Sequence, residues 1–240
     1  MRKLKLLLFA CILVIGLQGA VAAGTMEVYL TAGDQSVFQP LNEISPGVWN
    51  YQGSLSSSQG SQANFRITVD ADPWIVFGIT AWNYTSQVQN FGFLFLPGVV
   101  LNPTIPGNST ITASIAGGIT DNNNDGVTIA PVGFPYIQTN VTDAATANQF
   151  IWGVGPADTK GPQPGFGAFS YVGEVMAPTN GPTSPVMFGE IVFFSLTPGD
   201  TASITGYCSI NPVHTPIPGP LLLLGSGLLG LAGWRRFRKS

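Results

Sequence analysis

Histidine and cysteine are nearly absent from this 240-residue chain, which contains one histidine and two cysteines. A Ser/His/Asp triad or a histidine-ligated zinc or copper site needs imidazole within the folded domain, whereas His214 lies beside a proline-rich segment near the C-terminus. Cys208 and His214 could in principle form a thiolate pair, but a base on an extended tether is poorly positioned. Cys208 is therefore predicted to be a small buried strand residue.

Positive charge is scarce outside the two ends of the chain. All 12 Asp and Glu residues lie between Glu27 and Asp200, where the cations are Arg66 and Lys160, so this region has a formal charge of −10. Nucleic acid is therefore a very poor partner. The acidity suits calcium, a cationic surface or solubility outside a cell.

A long helical pattern is also missing from residues 23–212, where no apolar stretch keeps a 3.6-residue period. Alternation typical of strands takes its place, as in Ala63, Phe65, Ile67 and Val69. The predicted strands are 63–69, 74–82, 91–95, 110–115, 166–175, 186–196 and 202–208. Many short strands separated by Pro, Gly, Asn and Asp clusters predict an all-β fold, a single antiparallel β-sandwich of the jelly-roll-like type.

Aromatic residues are the candidates for stacking on sugar rings, and polysaccharide binding is one alternative function. They are Trp49, Tyr51, Trp74, Trp82, Tyr84 and Trp152. Trp74 and Trp82 share one face of their predicted strand, and Ile75, Phe77 and Ile79 share the other. Because both faces are apolar, we predict a central strand covered on both sides, which lowers the chance that either tryptophan is free for a ligand.

The N-terminus has the pattern of an export signal. Arg2, Lys3 and Lys5 precede an apolar stretch over residues 6–17, and small residues at 20–22 suit signal peptidase. Residues 1–22 are therefore predicted to be a cleaved signal peptide, and residues 23–212 an exported β-sandwich. Since Cys11 would leave with the signal, Cys208 would have no partner within the mature chain.

Three features follow one another at the end of the chain. Alternating prolines predict an extended stalk over residues 213–220. The uncharged segment 221–234 predicts one transmembrane helix; counted from residue 217 it spans 18 residues, roughly 27 Å. Basic residues in the tail, 235–240, would hold it on the cytoplasmic side. The stalk motif is Pro216, Ile217, Pro218, Gly219 and Pro220, and the orienting cations are Arg235, Arg236, Arg238 and Lys239.

These last 25 residues resemble the PEP-CTERM sorting tails that exosortases process. The resemblance lies in the Pro-x-Pro motif, the Leu/Gly-rich helix and the terminal Arg cluster, with Ile217 where the family usually has glutamate. It implies a transient anchor in the inner membrane, processing near residues 216–220 by an exosortase, and delivery to the cell surface or an exopolysaccharide matrix. An ordinary C-terminal anchor that no protease cleaves is the alternative.

One loop has the composition of a calcium site. In residues 121–126, Asp121, Asn123 and Asp125 place oxygen ligands at positions one, three and five, and Gly126 follows at position six. The second half of the pattern fails, because position twelve is Val132. Weak calcium binding, completed by a distant carboxylate such as Asp143, and a plain Asx-rich turn both remain open. No other cofactor is predicted.

Carboxylates are the remaining catalytic groups, because a glycosidase needs two of them at a defined separation. The candidates are Asp70, Asp72, Glu174 and Glu190. Nothing in the sequence selects a pair, so we predict that the protein is not an enzyme. The sequence as a whole predicts an exported surface or matrix protein with a structural or adhesive role, and a carbohydrate-binding or calcium-dependent adhesion module is the alternative.

Overall fold

The computed structural model describes residues 26–71, 74–95, 109–142, 150–155, 160–163, 166–176 and 188–212. The signal peptide predicted at 1–22, the stalk from residue 213, the membrane segment and the basic tail lie outside these ranges. Within them, no helix combines the length and the apolar character that a bilayer crossing requires.

The described chain consists of strands joined by turns. They are β1 (Glu27–Ala32), β2 (Gln35–Pro40), β3 (Asn42–Ser45), β4 (Val48–Ser56), β5 (Ser61–Asp70), β6 (Trp74–Asn83), β7 (Gln89–Phe95), β8 (Ser109–Thr120), β9 (Val127–Pro131), β10 (Gln138–Thr142), β11 (Phe150–Val154), β12 (Lys160–Gln163), β13 (Phe166–Met176), β14 (Phe188–Leu196) and β15 (Thr201–Pro212). Each predicted strand segment overlaps one of these strands. The apolar pattern did not predict β1 to β4 and β9 to β12, which are mostly shorter or less regularly apolar.

Two antiparallel sheets form from these strands. Sheet A has the order β11-β10-β14-β7-β1-β2, and β9 extends it by pairing with β14 and β12. Sheet B has the order β13-β8-β15-β6-β5-β4-β3. The last two strands are inserted between earlier ones, β14 beside β7 and β15 between β6 and β8. The fold is therefore closed by pairings between residues far apart in the sequence.

The hydrophobic core lies between the two sheets. Alternate residues point inward, as β5 shows with Ala63, Phe65, Ile67 and Val69, all buried. Across the interface, the rings of Phe77 in sheet B and Phe93 in sheet A meet edge to face with centroids 5.2 Å apart. This packing confirms the predicted all-β sandwich.

Strand β6 is central in sheet B, but only one of its faces is covered. Trp74 and Trp82 are half-buried on the outer face, and Val76 between them is 42% exposed. The prediction of a strand covered on both sides is therefore wrong for β6. Gly78 and Thr80 separate the two tryptophans on that face, so it is not a continuous apolar stripe that another element could bury.

The strand that is covered on both faces is β14. Its Val192 and Phe194 belong to the main core, while Ile191 and Phe193 pack in a second cluster on the outer face of sheet A. Val141 of β10 completes the buried part of that cluster, and partly buried apolar residues surround it: Tyr29, Leu94, Val132 and Phe134. Two of these belong to the segment between β9 and β10, which thus lies over β14.

Candidate functional site

Pairing of β8 with β15 brings together two acidic residues that are far apart in the sequence. Thr120, the last residue of β8, is opposite Thr201, the first residue of β15. Asp121 follows Thr120 and Asp200 precedes Thr201. The antiparallel register therefore places both carboxylates at the same end of sheet B. Together with Asp125 they form a cluster whose nearest oxygen atoms all lie within 4.8 Å of one another. We call these three residues the acidic cluster.

Asp121 organises the loop that follows β8. Its Oδ1 accepts hydrogen bonds from the backbone N–H groups of Asn123 at 3.2 Å and Asn124 at 2.7 Å, and its Oδ2 accepts one from Gly126 at 3.0 Å. Asn124 has a φ of 61°, a left-handed conformation that asparagine tolerates better than most residues. The buried Asp121 carboxylate therefore stabilises the loop through hydrogen bonds to three backbone N–H groups.

Asn123 connects this loop to the turn before β15. Its Nδ2 donates to Pro198 O at 3.0 Å and to Asp125 Oδ2 at 2.9 Å, while its Oδ1 accepts the backbone N–H of Asp125. Gly199 lies directly against it, since a Cβ at Gly199 would come 2.6 Å from Asn123 Nδ2. The amide of Asn123 thus connects the loop after β8 to the turn before β15 and contacts the Asp125 carboxylate of the acidic cluster.

Asp200 is the member of the acidic cluster that was not predicted from the sequence. Its Oδ2 accepts a hydrogen bond from Thr197 Oγ1 at 2.5 Å, and its Oδ1 accepts one from the Asn122 backbone N–H at 3.3 Å. Burial, assisted by the negative charges of Asp121 and Asp125, raises the pKa of Asp200 against the effect of these hydrogen bonds. The only cue in the sequence was a Pro-Gly-Asp turn; the predicted distant ligand Asp143 lies outside the described residues.

A buried asparagine fixes the turn that carries Asp200. Asn83, at the end of β6, is fully buried, and its Nδ2 donates to the carbonyl oxygens of Gln87, Leu196 and Thr197 at 2.8 to 2.9 Å. Its backbone N–H donates to Asp200 O at 2.9 Å. The turn that carries Asp200 is therefore held in place by the hydrogen bonds of Asn83.

A second polar cluster lies between the sheets. Glu190 of β14 is fully buried, and neither of its carboxyl oxygens has a hydrogen-bond partner among the described residues. Burial raises its pKa well above the ordinary value, and the nearby side chains of Gln138 and Cys208 act in the opposite direction with a smaller effect. Burial therefore favours the protonated form of Glu190 in the folded protein.

Cys208 faces the same interior space from β15. It is fully buried, and burial together with the nearby Glu190 raises the pKa of its thiol well above the usual range. A thiol of this kind is a poor nucleophile. The predicted buried strand residue is confirmed; His214, its hypothetical base, lies outside the described residues.

The described carboxylates considered for glycoside hydrolysis do not meet. Asp70 and Glu174 belong to one row across sheet B, but β6, β15 and β8 lie between them, which separates their backbones by about 19 Å. Glycosidases place the two groups about 5 to 9.5 Å apart. Glu190 lies inside the core, and Asp72 is outside the described residues.

The aromatic residues divide between the inside and the outside of the sandwich. Trp49 and Tyr51 pack against the core, and Tyr84 is 64% exposed at the end of β6. Trp74 and Trp82 lie on the outer face of sheet B. The side chain of Trp152 is not among those described.

No protein-family model matches the chain, and no curated protein matches it. Among solved structures it is similar to the N-terminal endo-1,4-beta-D-xylanase 10B of Clostridium thermocellum, whose CBM22-1 and GH10 modules are complexed with xylohexaose. The identity is 13% and the TM-score 0.25; the match covers 82% of this chain and 30% of that chain. A likeness this weak assigns no function.

Proposed function

We propose that this protein is a non-enzymatic surface or extracellular-matrix protein, exported and then sorted by an exosortase through its C-terminal residues. The observation that carries the proposal is the order of the proline motif, the uncharged segment and the basic tail after the last strand of the sandwich. The signal-peptide pattern at residues 1–22 agrees with the same route. The proposed sandwich is of the jelly-roll-like type, with the chain crossing between the sheets several times.

The position of the last strand suits a domain held by its C-terminus. β15 pairs with β6 on one side and with β8 on the other, and it ends at Pro212, four residues before the motif at Pro216. A C-terminal strand with neighbours on both sides is held in its sheet by backbone hydrogen bonds along both of its edges. β15 starts beside the acidic cluster, so the cluster lies about 35 Å from Pro212 at the other end of this strand.

The test is intact mass and fractionation of the protein from its native host, compared with a strain that lacks the sorting protease. We expect a mature species that begins near Ala23, ends within residues 216–220 and leaves the inner membrane only when the protease is present. Changing Pro216 and Pro218 together to alanine should block this release. Pro46→Ala, in the turn between β3 and β4, is the matched control and should be released normally.

An intact basic tail in the inner membrane of both strains would show a simple membrane anchor. That result would overturn the proposed sorting route and, with it, the assignment to the cell surface or matrix. Release of the double-proline variant at the normal rate would refute the role of the proline motif but would leave the sorting route standing.

Calcium-dependent adhesion is the second candidate, and the arrival of Asp200 beside Asp121 and Asp125 favours it. Three carboxylates in one cluster repel one another, and a calcium ion prefers such oxygen ligands. A bound cation would also offset the rise that the charges of Asp121 and Asp125 cause in the pKa of Asp200. The competing explanation is that Asp121 only stabilises its loop, as its three backbone hydrogen bonds allow.

Thermal unfolding with and without millimolar calcium separates the two explanations. If calcium binds, the melting temperature rises, by an amount that corresponds to about 2.7 kcal/mol at a hundredfold excess over Kd. Asp125→Ala and Asp200→Asn should abolish this rise, while Asp34→Asn, an exposed aspartate in the β1–β2 turn, should retain it. No shift in the wild type, or the same shift in all variants, would exclude a calcium site here.

A further inference from the structure

The outer face of sheet B contains a polar groove that crosses four strands. It has a volume of about 510 Å³ and is lined by residues of β4, β5, β6 and β15. Two rows of opposed residues form it: Gln52, Arg66, Gly78 and Thr205 in one, and Ser54, Asn64, Thr80 and Ser203 in the other. Gly78 leaves the first row without a side chain at its centre. We call this feature the Arg66 groove.

The hydrogen-bonding groups of the groove are unused within the described structure. Its amides, hydroxyls and guanidinium belong to Gln52, Ser54, Asn64, Arg66, Thr80, Ser203 and Thr205. Among the described residues, none of these seven side chains takes part in a hydrogen bond or an ion pair, and all but Thr80 are exposed. They offer both donors and acceptors in a concave arrangement, as hydroxyl-rich ligands require.

Arg66 gives this surface its charge preference. The region between Glu27 and Asp200 has six times as many carboxylates as cations, so an ion pair for Arg66 would be easy to form. The groove lining nevertheless contains no carboxylate, and Arg66 has no ionic partner among the described residues. A guanidinium left exposed beside amides and hydroxyls can bind a carboxylate through two parallel hydrogen bonds.

Apolar side chains border the groove along the strands. Val76 lies one row beyond Gly78, and Trp82 lies one row beyond Thr80 on the opposite side. Both are at least partly accessible on the outer face, and an indole at this position can cover the apolar face of a sugar ring. The residues thus combine a cation for an acid group, polar groups for hydroxyls and an aromatic edge.

We propose that the Arg66 groove binds an acidic polysaccharide through the carboxylates of its uronate residues. This inference rests on the proposed function, since it names the matrix component that the exported sandwich would meet. Arg66 binds the carboxylate, and the side chains of the two rows bind the ring hydroxyls. The rest of the domain is acidic and repels a polyanion, so binding depends on this local cation and on salt that screens the distant charges.

The experiment measures binding of the full-length protein, purified in nonionic detergent, to polygalacturonate at about 0.15 M salt, where the Debye length is about 8 Å. Dextran serves as the neutral polymer and poly-L-glutamate as the non-sugar polyanion. We expect binding to polygalacturonate only. Arg66→Gln should weaken it about 10- to 100-fold, as expected for one charge-assisted hydrogen-bonding group, and Arg66→Lys by less.

Two further variants separate the groove from general effects. Gly78→Val fills the groove floor, where a Cβ meets nothing closer than Thr205 Cγ2 at 3.9 Å, so it should abolish binding without lowering the melting temperature. Gln35→Glu on β2 of sheet A makes the same charge change as Arg66→Gln away from the groove and should leave binding intact.

Four results would overturn the proposal. They are no binding of wild type to polygalacturonate, equal binding to dextran, equal binding to poly-L-glutamate, and unchanged binding in Gly78→Val. Light scattering that shows a dimer lost in Arg66→Gln would assign the groove to a second copy of the chain. Processing in the host is a separate readout: Arg66→Gln should be sorted normally, so failure of sorting and failure of binding are distinguishable.

Discussion

At the scale of single residues, a buried titratable side chain makes the stability of this protein depend on pH. Glu190 shows this most clearly, because it lies between the sheets and neither of its carboxyl oxygens has a hydrogen-bond partner among the described residues. Ionising it there would leave an uncompensated charge in a medium of low dielectric constant. Burial therefore raises the pKa of Glu190 in the folded state, and the stability of the protein depends on pH.

The sign of that dependence follows from the raised pKa of Glu190 in the folded state. Below the pKa of the unfolded chain, both states hold the proton and the folded state is not penalised. As pH rises toward the folded-state pKa, the unfolded chain gains by ionising, and up to about 1.4 kcal/mol of stability is lost per pH unit. Glu190→Gln should remove this loss.

We expect the melting temperature of Glu190→Gln to exceed that of wild type by an amount that grows with pH above about 4.5. The gap should widen by roughly 3–5 °C per pH unit, given about 2–4 °C for each kcal/mol in a domain of this size. Glu174→Gln, at an exposed position of β13, is the control and should follow wild type. A constant gap across pH 4 to 8 would contradict a raised pKa for Glu190 in the folded state.

At the scale of elements, the pairing of β7 with β14 depends on one glycine. Gly92 of β7 has a φ of 151°, a conformation that other residues rarely adopt. A Cβ at this position would overlap the carbonyl oxygen of Val192 and crowd the ring of Phe193. Because β14 is buried on both faces, neither strand can move away to make room.

Gly92→Ala should therefore destabilise the protein severely, by about 3 kcal/mol or more, since backbone strain and overpacking add. The melting temperature should fall by roughly 6 °C or more. Gly78→Ala in β6 is the matched control, because its new Cβ would make only an ordinary van der Waals contact with Thr205 Cγ2 at 3.9 Å, and it should stay within about 1 kcal/mol of wild type. Equal melting temperatures for the two variants would contradict this account of β7.

At the scale of the whole molecule, the packing of the two sheets shields reactive side chains between them from solvent. Cys208 on β15 and Glu190 on β14 come from different sheets and are both fully buried, so a reagent reaches them only when the sheets separate. The insertion of β14 and β15 between earlier strands means that such separation breaks pairings throughout the sandwich. Opening is expected to be global and slow.

Thiol labelling of a Cys11→Ala variant tests this expectation, because Cys208 is then the only cysteine in the chain. Its labelling rate should equal the rate of global unfolding measured by circular dichroism across a denaturant series. Ser58→Cys, added in the exposed β4–β5 turn, should label at once. Rapid labelling of Cys208 under native conditions would indicate local opening at the edge of the interface.

The alternation of apolar and polar residues was enough to predict seven strands and the sandwich. It failed for β6, where tryptophans at even spacing suggested a second buried face although Gly78 and Thr80 interrupt it. It also missed strands whose residues are held by their neighbours and not by their own apolar pattern, such as β3, which is exposed along its length. Periodicity reports which residues prefer burial, but not what lies on top of them.

The sequence by itself determined the local features of this protein: the strand pattern, the oxygen-rich loop that begins at Asp121, and the resemblance of its last residues to a sorting tail. Each depends on neighbours within a few positions. Only the tertiary structure decided that Asp200 joins that loop, that Glu190 lies in the core and that Arg66 faces a groove. The physical reason is that these placements depend on antiparallel register between strands up to about 140 residues apart in the chain.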